Sequence, residues 1–235
     1  LGPSHDTDQT GVFRAARSRV LATVADACGR AGRDPSGVTL VAVSKTVPVD
    51  RLRWAVSAGL TLLGENRVQE AETKVQALPG TRWHLIGPLQ SNKARRAVEV
   101  FDVIESVDSL DLARRLDRIA GELRRAPLGV FLQVNVDRDE AKAGFQPETL
   151  ERELAELSQL PNLDLLGLMT VGRLTATAEE ARPTFAHLRE LARRLRAQSA
   201  RLGPGLSMGM TADYAVAVEE GATVIRVGRA LFGER

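Results

Sequence analysis

Lysine is scarce in this chain. Only four of the 32 basic residues are lysine, at positions 45, 74, 93 and 142, and the other 28 are arginine. Lys45 follows a mostly apolar, β-branched run, 38–43, with Ser44 between. Such a run reads as a strand buried on both faces, which sets Lys45 at the strand's C-terminal end. In a desolvated mouth the charged form of a lysine is disfavoured, and the amine becomes a nucleophile able to form a Schiff base with an aldehyde. The same position suits a lysine that snorkels from the strand end or pairs with Glu65 or Glu105. Lys74, Lys93 and Lys142 fall in expected helices or loops, where solvated lysines are ordinary. Ser44-Lys45-Thr46 is not a P-loop, because G-x-x-x-x-G-K-[ST] needs glycine where Ser44 stands.

A second cluster is glycine-rich. Ser207-Met208-Gly209-Met210-Thr211 leads into a short expected helix, so backbone N–H groups and two hydroxyls can face an anion. Arg226-Val227-Gly228 adds a guanidinium and another small residue. The plainer alternative is that Gly209 and Gly228 only permit tight turns. Other chemistries find less support. Cys28 is the only cysteine, which excludes an internal disulfide and a multi-cysteine metal site and fits a reducing cytoplasm. His5, His84 and His187 have no metal-ligand spacing. Thirty acidic residues balance the basic ones, so a nucleic-acid partner is not implied. No apolar stretch is long enough to span a bilayer, and the first residues have no signal pattern.

Placing these residues requires a frame, and the chain alternates strand and helix. Phe13, Val20, Leu21, Val24, Ala27 and Cys28 recur at helical spacing and predict a helix ending near Gly32. Strands are expected at 38–43, 60–63, 83–86, 101–104, 129–136, 163–169, 206–208 and 222–227. Helices are expected between them: from Pro48 to Gly59, through Val68 to Leu78, over 91–98, through Leu112 to Leu123 with Asp108 or Ser109 as cap, from Pro147, through Phe185 to Leu195, and over 212–219. Eight buried strands separated by helices predict an α/β fold, a single (β/α)8 TIM barrel with an extra N-terminal helix. One domain spans 1–235, with 1–10 loosely held. An open doubly wound sheet is the runner-up, although it usually has fewer strands and no G-x-G-x-x-G follows the first one.

A barrel gathers its site at the C-terminal strand ends, and the loops after strands seven and eight usually hold phosphate. A nucleophilic lysine and a phosphate cradle in one mouth suggest pyridoxal 5′-phosphate. A class I aldolase also combines such a lysine with a phosphate site. A third reading leaves Lys45 structural in a generic phosphate-binding barrel.

Several runs extend the argument: Val41-Ala42-Val43-Ser44-Lys45-Thr46, Gly64-Glu65-Asn66, the run from Trp83-His84 through Gly87-Pro88 to Asn92-Lys93, Gly167-Leu168-Met169, and Ser207 to Asp213. With Arg226-Val227-Gly228 and Phe232-Gly233, this order resembles the pyridoxal phosphate homeostasis protein family, over 38–233. The resemblance implies a fold-type III pyridoxal phosphate barrel, similar to that of alanine racemase, with the cofactor bonded to Lys45. It places Asn66 and His84 beside the cofactor ring and Met169 near it. Ser207, Gly209, Met210, Thr211, Arg226 and Gly228 fall on the phosphate side, with the partner of Arg226, phosphate or pyridine nitrogen, left open. The family pattern usually has serine where Thr211 stands, and many members have a small residue at Arg229.

Alanine racemase needs two opposed bases, the second a tyrosine from a separate β-domain of its partner subunit. This chain stops soon after the eighth strand, so that domain is expected to be absent. Tyr214 is the only tyrosine and falls in the short helix after the glycine-rich loop. The expectation is therefore a cytoplasmic monomer that holds pyridoxal phosphate and takes part in vitamin B6 and amino-acid homeostasis, with apo-enzymes as possible recipients. The rival is a racemase-like enzyme, with His84 the best candidate for the second base. The run from Trp83 to Lys93 is given no role beyond a turn, a helix cap and surface charge, with ligand access as a hypothesis.

Overall fold

A computed structural model describes residues 5–124, 127–172 and 175–233. Eight strands pair in chain order: β1 (Thr39–Val43), β2 (Leu62–Glu65), β3 (Arg82–Leu85), β4 (Val103–Val107), β5 (Leu128–Gln133), β6 (Leu163–Met169), β7 (Gly205–Ser207) and β8 (Val224–Val227). All the pairings are parallel, and β8 returns to β1 with Thr39 opposite Val224 and Val41 opposite Arg226. The sheet is therefore a closed barrel, and the open doubly wound alternative is excluded. Helices follow the strands: α2 (Val49–Ser57), α3 (Val68–Ala77), α4 (Ala94–Val100), α5 (Leu110–Glu122), α6 (Pro147–Leu157), α7 (Arg182–Gln198), α8 (Tyr214–Glu219) and α9 (Arg229–Phe232), after the N-terminal α1 (His5–Arg30).

Strand alternation sorts side chains into two layers. Val41, Val103, Phe131, Met169 and Val224 form a small apolar cluster inside the barrel. Ala42, Leu63, Leu85, Ile104 and Leu132 belong to the larger cluster between sheet and helices. The helices supply the rest of that layer by their own period. On α5, Leu112, Leu116 and Ile119 are all buried, and the Ser109 hydroxyl accepts the Leu112 N–H at 3.3 Å. Burying one such aliphatic side chain stabilises the fold by about 1.5–3 kcal/mol. Pro147 opens α6, and Gly59, at φ +90°, lets the chain turn after α2.

β2 and β4 reach further toward the mouth than their apolar runs imply. Glu65 and Glu105 continue the strands because each carboxylate has buried partners, so polarity does not end the pairing. β5 stops at Gln133, beyond which Val134 forms an isolated bridge to Phe145 and donates its N–H to the Met169 carbonyl at 2.8 Å. The helix expected over 91–98 is one 3-10 turn at Ser91–Lys93 followed by α4. α9 has no counterpart in the sequence reading. α1 starts at His5, well ahead of the apolar spacing that marks it. Residues 1–4 of the expected loose start lie outside the described residues. α1 packs against α2, α8 and α9, and its Phe13 ring stands 5.7 Å from Phe232. Among the described residues no helix is long and apolar enough to cross a membrane.

Candidate functional site

Alternation along β1 turns Val41 and Val43 into the barrel and Ala42 and Ser44 toward the helices. Lys45, next in the series, enters the mouth. It lines a cavity of about 530 Å³ with Asn66 from the end of β2, Met210 and Thr211 from the loop after β7, and Arg226 and Gly228 from β8 and its end. Val43, Ile86 and Val171 give the cavity apolar walls, and Asp213 and Arg229 complete its rim. Six of the ten expected site residues therefore meet in one space.

Lys45 itself is exposed, not desolvated as the sequence suggested. It has no hydrogen bond or ion pair among the described residues. Glu65 and Glu105, the carboxylates weighed as its partners, are both committed elsewhere. Glu105 is fully buried inside the barrel. Its Oε1 lies 2.6 Å from His84 Nδ1, and its Oε2 accepts the Ser207 hydroxyl at 2.5 Å. Arg226 donates to Ser207 Oγ at 2.5 Å and to the Thr170 carbonyl at 2.7 Å, and sits 3.8 Å from Glu105. Burial pushes the Glu105 carboxyl up, but the His84 contact, the Arg226 charge and the Ser207 hydroxyl more than offset it, leaving its pKa below the usual range. Burial lowers the Arg226 pKa, against the pull of Glu105 and Asp213.

The four other expected residues lie in or under this network instead of lining the cavity. His84 and Ser207 are buried in it, and Met169 belongs to the apolar cluster inside the barrel. Gly209, at φ +91°, is pressed against α8, where an added Cβ would come within 2.5 Å of the Ala217 Cβ. Its close approach alone requires glycine. The two loops of the cradle touch directly, the Gly228 N–H donating to Thr211 Oγ1 at 3.3 Å. Asp213 accepts the Met210 N–H at 2.6 Å and fixes that loop. Burial raises its pKa, against the Met210 hydrogen bond and the Arg226 charge.

A second network stands behind Lys45, between the sheet and α3. Lys74 is almost fully buried, against the expectation of a solvated lysine. Its Nζ donates to the Ser44 carbonyl at 2.8 Å, to Glu65 Oε1 at 2.8 Å and to Glu70 Oε1 at 2.6 Å. Glu65 also accepts the Ser44 hydroxyl at 2.6 Å, while its Oε2 has no partner among the described residues. Burial raises the Glu65 pKa, and the Lys74 and Ser44 hydrogen bonds only partly counter it. Glu70 accepts the Thr46 N–H at 2.5 Å. Thr46 is at φ +62°, a left-handed conformation that a β-branched residue rarely adopts. Lys142 is likewise not free in solvent: it donates to the Gly172 carbonyl at 2.6 Å and to that of Val171 at 3.2 Å.

The sequence weighed Glu65 and Glu105 only as partners of Lys45 and held no signal for the links they make instead. Lys74 had a visible signal, since it follows Ala71 by three positions on the inward face of α3. The run from Trp83 to Lys93 gains a partial account. A Cβ on Gly87 would lie 2.4 Å from the Asn66 carbonyl oxygen, and the Gly87 carbonyl accepts the Ser106 hydroxyl at 2.6 Å. Gly87 therefore lets the loop after β3 press Asn66 into place. Lys93 lines a neighbouring groove of about 350 Å³ with Asn66, Arg67 and Gln90.

Fold and site together define a barrel of the alanine racemase N-terminal type. The family model for the alanine racemase N-terminal domain matches residues 27–235. The pyridoxal phosphate homeostasis protein of Aquifex aeolicus is 41% identical over 220 residues, covering 93% of this chain and 96% of that one. Its counterpart in Pseudomonas aeruginosa is 46% identical over 224 residues, 93% and 94% of the two chains. PipY of Synechococcus elongatus, solved without pyridoxal phosphate, is 48% identical with a TM-score of 0.83, over 94% of this chain and 99% of that one. The same protein with pyridoxal phosphate bound is 47% identical with a TM-score of 0.79, over 90% and 100%. This chain belongs to the pyridoxal phosphate homeostasis protein family.

Proposed function

We propose that this chain binds pyridoxal 5′-phosphate, with Lys45 bonded to its aldehyde, and serves to hold and balance the cofactor instead of turning over a substrate. One observation carries the proposal: a lysine without a partner among the described residues faces the Thr211 and Gly228 loops across a single cavity whose wall includes a buried arginine. The donor set fits the group. An amine stands on one side, a hydroxyl donor on the other, and apolar side chains between them. When bound, the cofactor supplies a reactive aldehyde on an electron-withdrawing ring. Thr211 offers its hydroxyl proton to the phosphate, while Met210 and Gly228, whose N–H groups are engaged with Asp213 and Thr211, shape the two loops around it. Arg226 provides the buried cation beneath, and Ser207 acts through Arg226 because its hydroxyl is already engaged. Asn66 holds the ring side, backed by Gly87, while His84 and Met169 support the floor. A relative solved with pyridoxal phosphate bound supports the assignment.

Steady acid–base turnover at both faces of a substrate needs a second positioned base. His84 is buried and committed to Glu105, and the half-buried Tyr214 packs on the core through α8. Neither lines the cavity. The names of the relatives point the same way. The proposal extends to a cytoplasmic monomer that releases the cofactor to apo-enzymes, in keeping with a mouth that leaves Lys45 exposed.

The test is the visible absorption of the purified protein with pyridoxal phosphate, before and after borohydride, followed by peptide mapping. The expected result is a yellow band lost on reduction, an adduct on Lys45, and no steady turnover of amino acids. Absence of the band, or an adduct scattered over the other lysines, would remove the cofactor assignment. Turnover abolished by Lys45→Ala would instead make the protein an enzyme.

A further inference from the structure

The backbone on both sides of Lys45 is gripped from behind by charged groups that never enter the cavity. Ser44, on the N-terminal side, is held twice: Lys74 takes its carbonyl at 2.8 Å and Glu65 its hydroxyl at 2.6 Å. Thr46, on the C-terminal side, is held by Glu70 through its N–H at 2.5 Å. Lys74 joins the two grips, donating to both carboxylates, so the three side chains act as one clamp. The only residue between the clamped points is Lys45.

A second, independent observation marks the same spot. Thr46 is one of three non-glycine residues with positive φ among the described residues, and the only β-branched one. Such strain persists only where surrounding contacts over-determine it, and it gathers at functional sites. Here the contact that holds it is Glu70. Burying a lysine and a glutamate between sheet and helix is a poor route to stability, because desolvation offsets most of their attraction. A demand for geometry at Lys45 accounts for both the strained residue and the buried ions.

We propose that Lys74, Glu65 and Glu70 are positioning residues for Lys45, fixing the direction in which its amine enters the mouth; the proposal rests on Lys45 being the point of cofactor attachment. Nothing in the clamp touches the cavity, so its effect falls on bonding at Lys45 and not on the phosphate loops across the mouth.

Lys74→Met strands Glu65 and can unfold the protein, so the decisive pair is Glu70→Ala and Glu70→Gln. Glutamine keeps a carbonyl acceptor for the Thr46 N–H, and alanine removes it. Adduct formation with pyridoxal phosphate is first mapped in the unsubstituted chain. The rate of borohydride trapping at Lys45 is then compared with the affinity for inorganic phosphate and with the melting temperature. The expected result for Glu70→Ala is trapping slowed about tenfold, the scale of one charge-assisted hydrogen bond, with phosphate affinity unchanged. Glu70→Gln should restore most of the rate. Native trapping in Glu70→Ala, or equal loss in both variants, overturns the proposal while leaving Lys45 as the attachment point. A purely structural role would lower the melting temperature and leave trapping in the folded protein unchanged, and this too overturns it. An adduct that misses Lys45 in the unsubstituted chain is a separate failure, of the attachment on which the clamp depends.

Discussion

Glu65 and Glu105 stand at the mouth-facing halves of two strands, and both are fully buried. Their carboxyls nevertheless move in opposite directions. Glu65 lies behind the sheet, with one oxygen serving Ser44 and Lys74 and the other without a partner among the described residues, and its pKa is raised. Glu105 lies inside the barrel, with both oxygens engaged and a guanidinium nearby, and its pKa is lowered. Burial is common to the two. The supply of donors decides which way each goes.

The sharpest break in this comparison should come from Glu105→Ala. It leaves the Arg226 guanidinium buried without its carboxylate, a change of about 3–5 kcal/mol. Urea denaturation should show a loss of that order, and a loss near zero would mean that the interior network stabilises nothing. Lys74→Met should cost less, about 2–3 kcal/mol at neutral pH, because the raised Glu65 can take up a proton when its cation is removed. The deficit should shrink as the pH is lowered and the raised Glu65 carboxyl takes up its proton. A deficit independent of pH would place the damage in packing and not in charge.

The smallest effect is the pH dependence of the unsubstituted chain. The folded Glu105 binds its proton less readily than the unfolded chain does. Its stabilisation is therefore complete above the unfolded carboxylate value of about 4.3 and is lost as pH falls through the lower folded value. Glu65 has the reverse sign. Its contribution is present at low pH and is lost as pH rises through its raised folded value. Each group can tilt stability by at most about 1.4 kcal/mol per pH unit. Glu105→Gln should flatten the acid limb of the stability curve, and Glu65→Gln the limb above it. Exchange of those two outcomes would reverse the assignment of the pair.

Local information carried much of the architecture. The run before Lys45, the 163–169 strand and the α5 stripe were legible because burial on one or both faces imposes a period on neighbouring residues. Lys45, Thr211 and Gly228 were legible for a related reason, since a barrel brings all strand ends to one rim. Partnership across the barrel left no such trace. Ser207 and Glu105 are 102 positions apart, and neither residue type announces the other. Glu65 and Lys74 are only nine apart, yet a lysine on a helix is ordinarily solvated, so its burial emerged only from the packing of α3. Strand ends were misplaced at Glu65 and Glu105 because an apolar pattern stops at a charge, whereas backbone pairing continues through it.

The closure of the barrel also has a consequence in time. Thr39 pairs with Val224, and Arg33, just beyond α1, donates to the Val218 and Ala222 carbonyls, 185 and 189 positions away. Contacts of such separation form slowly, because a long loop must be closed before they give anything back. While the chain is being made, the edge of β1 that will meet β8 has no neighbour, and an unpaired edge invites other strands. Of the eight strands, β8 is made last, and it is the one that turns an adhesive open sheet into a sealed one.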